Sequence, residues 1–116
     1  MDAKQIIEAY YDAWTRNNLS KARTFLDDNV TFAGSIDKFS NADDFMKELS
    51  VFIGMVKSVK LIKAYFDENG GVQLYDVDTI SPAGTIRTAE FFSVTKGKIS
   101  DIKLIFDATE LRKLMS

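Results

Sequence analysis

The stretch Val72-Gln-Leu-Tyr-Asp-Val-Asp-Thr-Ile-Ser81, followed by Pro82-Ala-Gly84 and Thr85-Ile-Arg-Thr-Ala-Glu-Phe-Phe-Ser-Val-Thr95, reads as two strands around a turn. Both runs are rich in β-branched and aromatic residues, and the turn supplies the residues that break extended structure. Pro82 fits the first turn position and Gly84 the left-handed position of a bulge, so a three-residue loop is expected. Strand side chains alternate between faces, which puts Glu90 on one row with Ile86, Phe92 and Val94. A carboxylate on an apolar row is either solvated on a half-wet sheet or points into a cavity, where burial raises its pKa.

The three-residue loop also sets a register. Pairing Ser81 with Thr85 places Ile80 opposite Ile86, Asp78 opposite Thr88, Asp76 opposite Glu90, Leu74 opposite Phe92 and Val72 opposite Val94. Two carboxylates so opposed are costly when both are ionised, and facing a cavity they would share a proton. Two other arrangements stay open: a wet stretch of sheet balanced by Arg87 or a lysine, and a one-residue slip that sets Tyr75 opposite Glu90.

Outward from this hairpin, strands are expected over about 58–66 and 98–106, giving four strands with 72–81 and 85–95, separated by Asn69-Gly-Gly71 and Lys96-Gly97. Before them the period is helical. Asp2 and Gln5 form a capping pattern ahead of Ile6, Ile7, Tyr10, Ala13 and Trp14, and Ser20 is placed to cap a short helix through Leu26. Val30 and Phe32 alternate in a short strand. Asn41 or Ser40 caps a third helix with Asp43 and Asp44 in its first turn and Phe45, Leu49, Phe52, Ile53 and Val56 on one stripe, closing near Gly54. Asp107-Ala-Thr-Glu110 opens a terminal helix. The order predicts one α+β domain over residues 1–116, a cone-shaped, curved, antiparallel or mixed sheet wrapped around the N-terminal helices, a cystatin-like roll with a central cavity.

Composition removes whole classes of chemistry. The 116 residues include no cysteine and no histidine, so disulfides, thiolate nucleophiles, histidine bases and Cys- or His-ligated metals are excluded. Proton chemistry falls to Asp, Glu, Tyr or Lys. A net charge of −2, with 15 Lys and Arg dispersed among 17 acids, gives no footprint for nucleic acid. The N-terminus lacks the pattern of a signal sequence, and no apolar run approaches the ~20 residues that span a bilayer. A soluble, cytoplasmic protein without metal or organic cofactor is the expectation.

Tyr10 lies on the apolar stripe of the first helix, where it is either a core aromatic or a phenol donor aimed at a substrate oxygen. Trp14, Phe32, Phe45, Phe52, Tyr65, Phe92, Ile102 and Phe106 are then candidate walls of the cavity, or plain core.

The order of elements, with the segments Tyr10–Asp28, Val30–Asp37 and Pro82–Ile99, resembles the nuclear transport factor 2-like superfamily over essentially the whole chain. The nearest likeness is to its SnoaL-like branch, which includes polyketide cyclases and lies close to the ketosteroid isomerases. The resemblance implies that Tyr10 stands where the isomerases keep an oxyanion-hole tyrosine and Glu90 where they keep a protonated acid. The isomerase base should follow the first strand, and this chain has Ala33-Gly34 there. Asp37, just downstream, reaches the cavity mouth or merely turns the loop.

Two functions follow as expectations. In one, Glu90 is general acid or base, Asp76 its partner and Tyr10 the donor to an enolate oxygen, in an isomerase- or cyclase-type proton transfer on a small apolar carbonyl compound. In the other, the cavity holds a small apolar molecule without turnover. Under both, a homodimer is expected through an outer sheet face carrying Tyr75, Val77, Ala89 and Phe91.

Overall fold

The computed structural model describes residues 1–115. Helix α1 (Ala3–Thr15) starts at a reciprocal cap: the Asp2 carboxylate accepts the Gln5 N–H at 2.8 Å and the Gln5 side-chain oxygen accepts the Asp2 N–H at 2.9 Å. Helix α2 (Leu19–Thr24) is capped by Asn18 rather than by Ser20, which sits inside the helix and donates its hydroxyl to Asn18 at 3.3 Å. Asn18 wins because Asn17, at φ 59°, turns the chain sharply enough for the next side chain to reach the Lys21 N–H. Strands β1 (Leu26–Ala33) and β2 (Lys38–Phe39) precede α3 (Ala42–Ile53), where Asn41 is the cap and Phe45 and Leu49 are buried. Then come β3 (Val56–Asp67), β4 (Gly70–Thr79), β5 (Thr85–Thr95), β6 (Lys98–Phe106) and α4 (Thr109–Met115).

The six strands form one open, curved, mixed sheet in the order β2-β1-β6-β5-β4-β3. Only β1 and β6 run parallel; the other neighbours are antiparallel. Irregularities in β3 at Lys57 and Ile62 and in β6 at Ser100, opposite Ser93-Val94 of β5, bend the ladder, since an extra residue on one strand increases local twist. Helices α1 and α3 lay their apolar stripes on the concave face, where Ile6, Ile7, Tyr10, Trp14, Phe45 and Leu49 meet Val30, Phe32, Tyr75, Val77, Phe92, Ile99 and Ile102. Among the described residues, no helix is long and apolar enough to cross a membrane.

The β4–β5 hairpin departs from the expected register. The Thr79 N–H and hydroxyl both donate to the Gly84 carbonyl, at 3.0 and 2.7 Å, while the Gly84 N–H donates to Ser81 at 3.0 Å. These bonds extend the connection to Thr79–Gly84, with Gly84 at φ 69° as its sequence position required. Asp78 therefore faces Thr85, and the rows run Val77 opposite Ile86, Tyr75 opposite Thr88, Asp76 opposite Arg87 and Gln73 opposite Glu90. An odd shift exchanges the faces of β4: Gln73, Tyr75 and Val77 turn inward, Asp76 and Asp78 outward.

Candidate functional site

Three elements converge on the carboxyl of Glu90. Strand β5 carries it on the inner row between Thr88 and Phe92, and it is 4% exposed. Strand β4 brings Tyr75, whose hydroxyl donates to Glu90 Oε1 at 2.9 Å, and Gln73, directly across the ladder. Helix α1 brings Tyr10 and Trp14, one turn apart on the buried stripe. The rings interlock edge-on or tilted: Tyr10 against Phe92 at 5.9 Å, Trp14 against Tyr75 at 5.8 Å and Tyr11 against Tyr75 at 6.1 Å.

The electrostatics follow from that enclosure. Burial raises the Glu90 pKa from 4.5 to about 7, with the Tyr75 hydrogen bond pulling the other way because it stabilises the carboxylate. Burial, and then the neighbouring Glu90 charge, hold the Tyr10 and Tyr75 phenols well above their ordinary range, so both remain donors. Two polar atoms of the cluster, Trp14 Nε1 and Gln73 Oε1, are buried without a hydrogen-bond partner among the described residues. A buried polar atom left unpaired is costly, which makes these two the places where a further partner would gain most.

Of the residues singled out in the sequence, Glu90 and Tyr10 are brought together and Asp76 is not. Asp76 lies on the outer face in a two-pronged pair with Arg87, at 2.9 and 3.0 Å. The guanidinium hydrogen bond holds its carboxyl below the usual range, the opposite of a shared proton with Glu90. The paired-carboxylate expectation is therefore corrected to a single buried acid among phenols. Trp14, Phe32, Phe45, Phe92 and Ile102 are buried inward-facing core, with Phe52 and Phe106 half-buried. Phe32, Phe45 and Phe39 form a separate ring cluster, with Phe32 and Phe45 stacked at 4.8 Å. Tyr65, expected as a wall, points outward and is exposed.

Asp37 sits in a surface cleft with Gly34, Ser35, Ile36, Lys38 and Arg112, its pKa raised by partial burial and by Glu48. A second cleft, between α2 and α3, is lined by residues that include Arg23, Asp43 and Lys47. Neither cleft includes Glu90. Among the described residues, no three Asp or Glu side chains gather as a metal site requires.

Sequence reasoning missed Gln73 as the residue opposite Glu90 and reached Tyr75 only through the one-residue slip, which would have set it directly across the ladder. The signal was present in β4 itself: Asp76 and Asp78 alternate with Tyr75 and Val77, a polar-out, apolar-in pattern that places the tyrosine inside.

No family model matches the sequence, and no curated protein matches it. Solved structures match it over nearly its whole length. A protein from Kribbella flavida superposes with a TM-score of 0.90 at 23% identity, covering 98% of this chain and 93% of the other. An NTF2-like protein of unknown function from Cytophaga hutchinsonii gives 0.84 at 19% identity, over 97% and 96% of the two chains. The chain has the NTF2-like fold. A second Kribbella flavida protein, described as a candidate ketosteroid isomerase, shares the NTF2-like fold at a TM-score of 0.81 and 9% identity, covering 90% of this chain and 77% of that one. In the NTF2-like fold of this chain, Glu90 occupies the concave side of a central strand, under α1.

Proposed function

We propose that this protein is a cofactor-independent acid–base catalyst that moves a proton next to the carbonyl of a small, largely apolar compound, in an isomerase- or cyclase-type reaction. The observation that carries the reading is the inward-facing Glu90 carboxyl, poised at about 7 and hydrogen-bonded by Tyr75. A proton carrier is most effective when its pKa lies near the working pH. Support also comes from the SnoaL-like resemblance of the sequence and from the structural neighbour described as a candidate ketosteroid isomerase. With Ala33-Gly34 where the isomerases place their base, Glu90 does the carrying alone.

In this scheme the Glu90 carboxylate removes a proton from the carbon beside the carbonyl, and the electron pair moves onto oxygen as an enolate. Tyr10, kept protonated by burial, donates to that oxygen. Neutral Glu90 then returns the same proton to a second carbon of the conjugated system, so that only a double bond has moved. Tyr75 steadies the carboxyl through both steps.

The test is turnover of a panel of small unsaturated ketones and related cyclic carbonyl compounds by the native protein and its variants. Glu90→Gln and Glu90→Ala are expected to lose ~10²–10⁴-fold in kcat, the usual worth of a positioned acid or base. Undiminished turnover in both removes Glu90 from the chemistry.

The closure of the site favours one second reading. Glu90 is 4% exposed, so a ligand enters only if its cover moves, and a binding module that closes over a small apolar molecule has the same shape. Ligand binding that survives in Glu90→Gln, with no turnover by the native protein, selects this alternative.

A further inference from the structure

Gln73 has no part in the scheme above, yet it is the residue placed directly across the ladder from Glu90, on the same inward face, and only 1% exposed. Opposed side chains of an antiparallel pair start ~5 Å apart, well within the combined reach of a glutamine and a glutamate. Its Oε1 has no partner among the described residues. On the other side, Glu90 Oε1 already accepts the Tyr75 hydroxyl at 2.9 Å. With Oε1 taken up by that bond, the proton of a neutral Glu90 belongs on Oε2, where an acceptor on the facing strand stabilises it.

We infer that Gln73 is the positioning residue of this site, its amide oxygen accepting the O–H of neutral Glu90 while Tyr75 holds the other carboxyl oxygen. The pairing gives the orphaned Gln73 acceptor a donor. It also gives Glu90 a fixed orientation, with the proton at a defined oxygen. For its functional meaning the inference rests on the acid–base reading of Glu90.

Tyr10 from α1 and Tyr75 from β4 face the carboxyl, with Tyr11 beyond Tyr75, and β6 sets Leu104 opposite it. The formal charges of the neighbouring strands, Asp76, Arg87 and Lys103, alternate onto the other face. No cation competes among these groups to hold Glu90 ionised. An amide oxygen turned towards the carboxyl favours the neutral acid twice over, by accepting its proton and by repelling the carboxylate.

The experiment is a titration of the Glu90 side-chain carbon by NMR in the full-length protein labelled at glutamate, assigned with Glu90→Gln. Gln73→Met keeps the side-chain length and removes the amide; the expected result is a fall of about one pH unit in the Glu90 midpoint, the size of one lost hydrogen bond. An unchanged or raised midpoint overturns the assignment, since an apolar replacement acting only through packing leaves Glu90 as buried as before. If Gln73→Met does not fold, the native protein decides. Infrared spectra with the Gln73 side-chain carbonyl isotopically marked are expected to show its stretch rising as Glu90 ionises and the accepted hydrogen bond is lost, with no such change in Glu90→Gln; a pH-independent stretch overturns the inference. Neither readout uses turnover. A failure here leaves the proposed reaction standing, and unaffected turnover in the Glu90 variants removes the reaction without touching this titration.

Discussion

Because Glu90 releases its proton at about 7 in the folded chain but at 4.5 when exposed, folding and pH are linked through this one residue. Between those values the native state binds the proton and the unfolded chain does not, so stability falls as pH rises through the window and levels off above it. A shift of that size in a buried group corresponds to on the order of 3 kcal/mol. Glu90→Gln, which mimics the neutral acid, is therefore expected to be more stable than the native chain at pH 8 and nearly equal to it at pH 4.5. Urea denaturation at the two pH values checks this, and an equal difference at both would show that Glu90 does not titrate in the window. Tyr75→Phe acts in the other sense. The Tyr75 hydrogen bond lowers the Glu90 pKa, so its loss should raise the midpoint further and cost ~1 kcal/mol of stability, readable by the same NMR titration and by denaturation. At this scale the sequence was informative: the period of two along Thr85–Thr95 sufficed to turn Glu90 and Phe92 inward together.

The elements show where that legibility stops. Both strands of the central hairpin were recognisable from composition, and Gly84 does adopt the positive φ its turn position demands. The loop length was not recognisable, because it depends on Thr79 donating from both its N–H and its hydroxyl to Gly84, a contact made between residues five apart. A local turn rule does not see such a bond, and an error of an odd number of residues turns a whole strand over. That is why Asp76 was expected beside Glu90 while Gln73 and Tyr75 occupy its surroundings. The β5–β6 hairpin follows the local rules closely. Thr95 pairs with Lys98 across Lys96 and Gly97, at φ 52° and 76°, a tight turn with both central residues in the left-handed region. Lys96 is the strained member, since lysine gains nothing there that asparagine does not supply more cheaply. Lys96→Asn is expected to stabilise the protein by about 0.5 kcal/mol and Gly97→Ala to destabilise it by about 1 kcal/mol, both measurable as shifts of the urea midpoint at constant slope.

Across the whole molecule, α1 and α3 cover the concave face, whereas among the described residues large apolar side chains stand exposed on the convex one. The outward row is apolar near its centre. Tyr65, Phe91 and Ile105 are 62%, 43% and 59% exposed, and the ladder sets Tyr65 beside Val72, Val72 beside Phe91, and Ala89 between Leu74 and Ile105. Of the outer face expected from the sequence, Ala89 and Phe91 hold their places, while Tyr75 and Val77 belong to the core and Tyr65 and Ile105 take over from them. We propose that these contiguous exposed aromatic and aliphatic side chains, on the outer face of the curved sheet, meet the same residues of a second copy across a two-fold axis. The expected outcome is a dimer in sedimentation equilibrium that the double substitution Phe91→Asp and Ile105→Asp converts to monomer. Since these positions alternate onto the face opposite Glu90, the monomer should keep the Glu90 midpoint near 7. A monomeric native protein would refute the surface assignment. A midpoint that moved with dissociation would instead show that the curvature of the sheet, and with it the closure over Glu90, depends on the second copy.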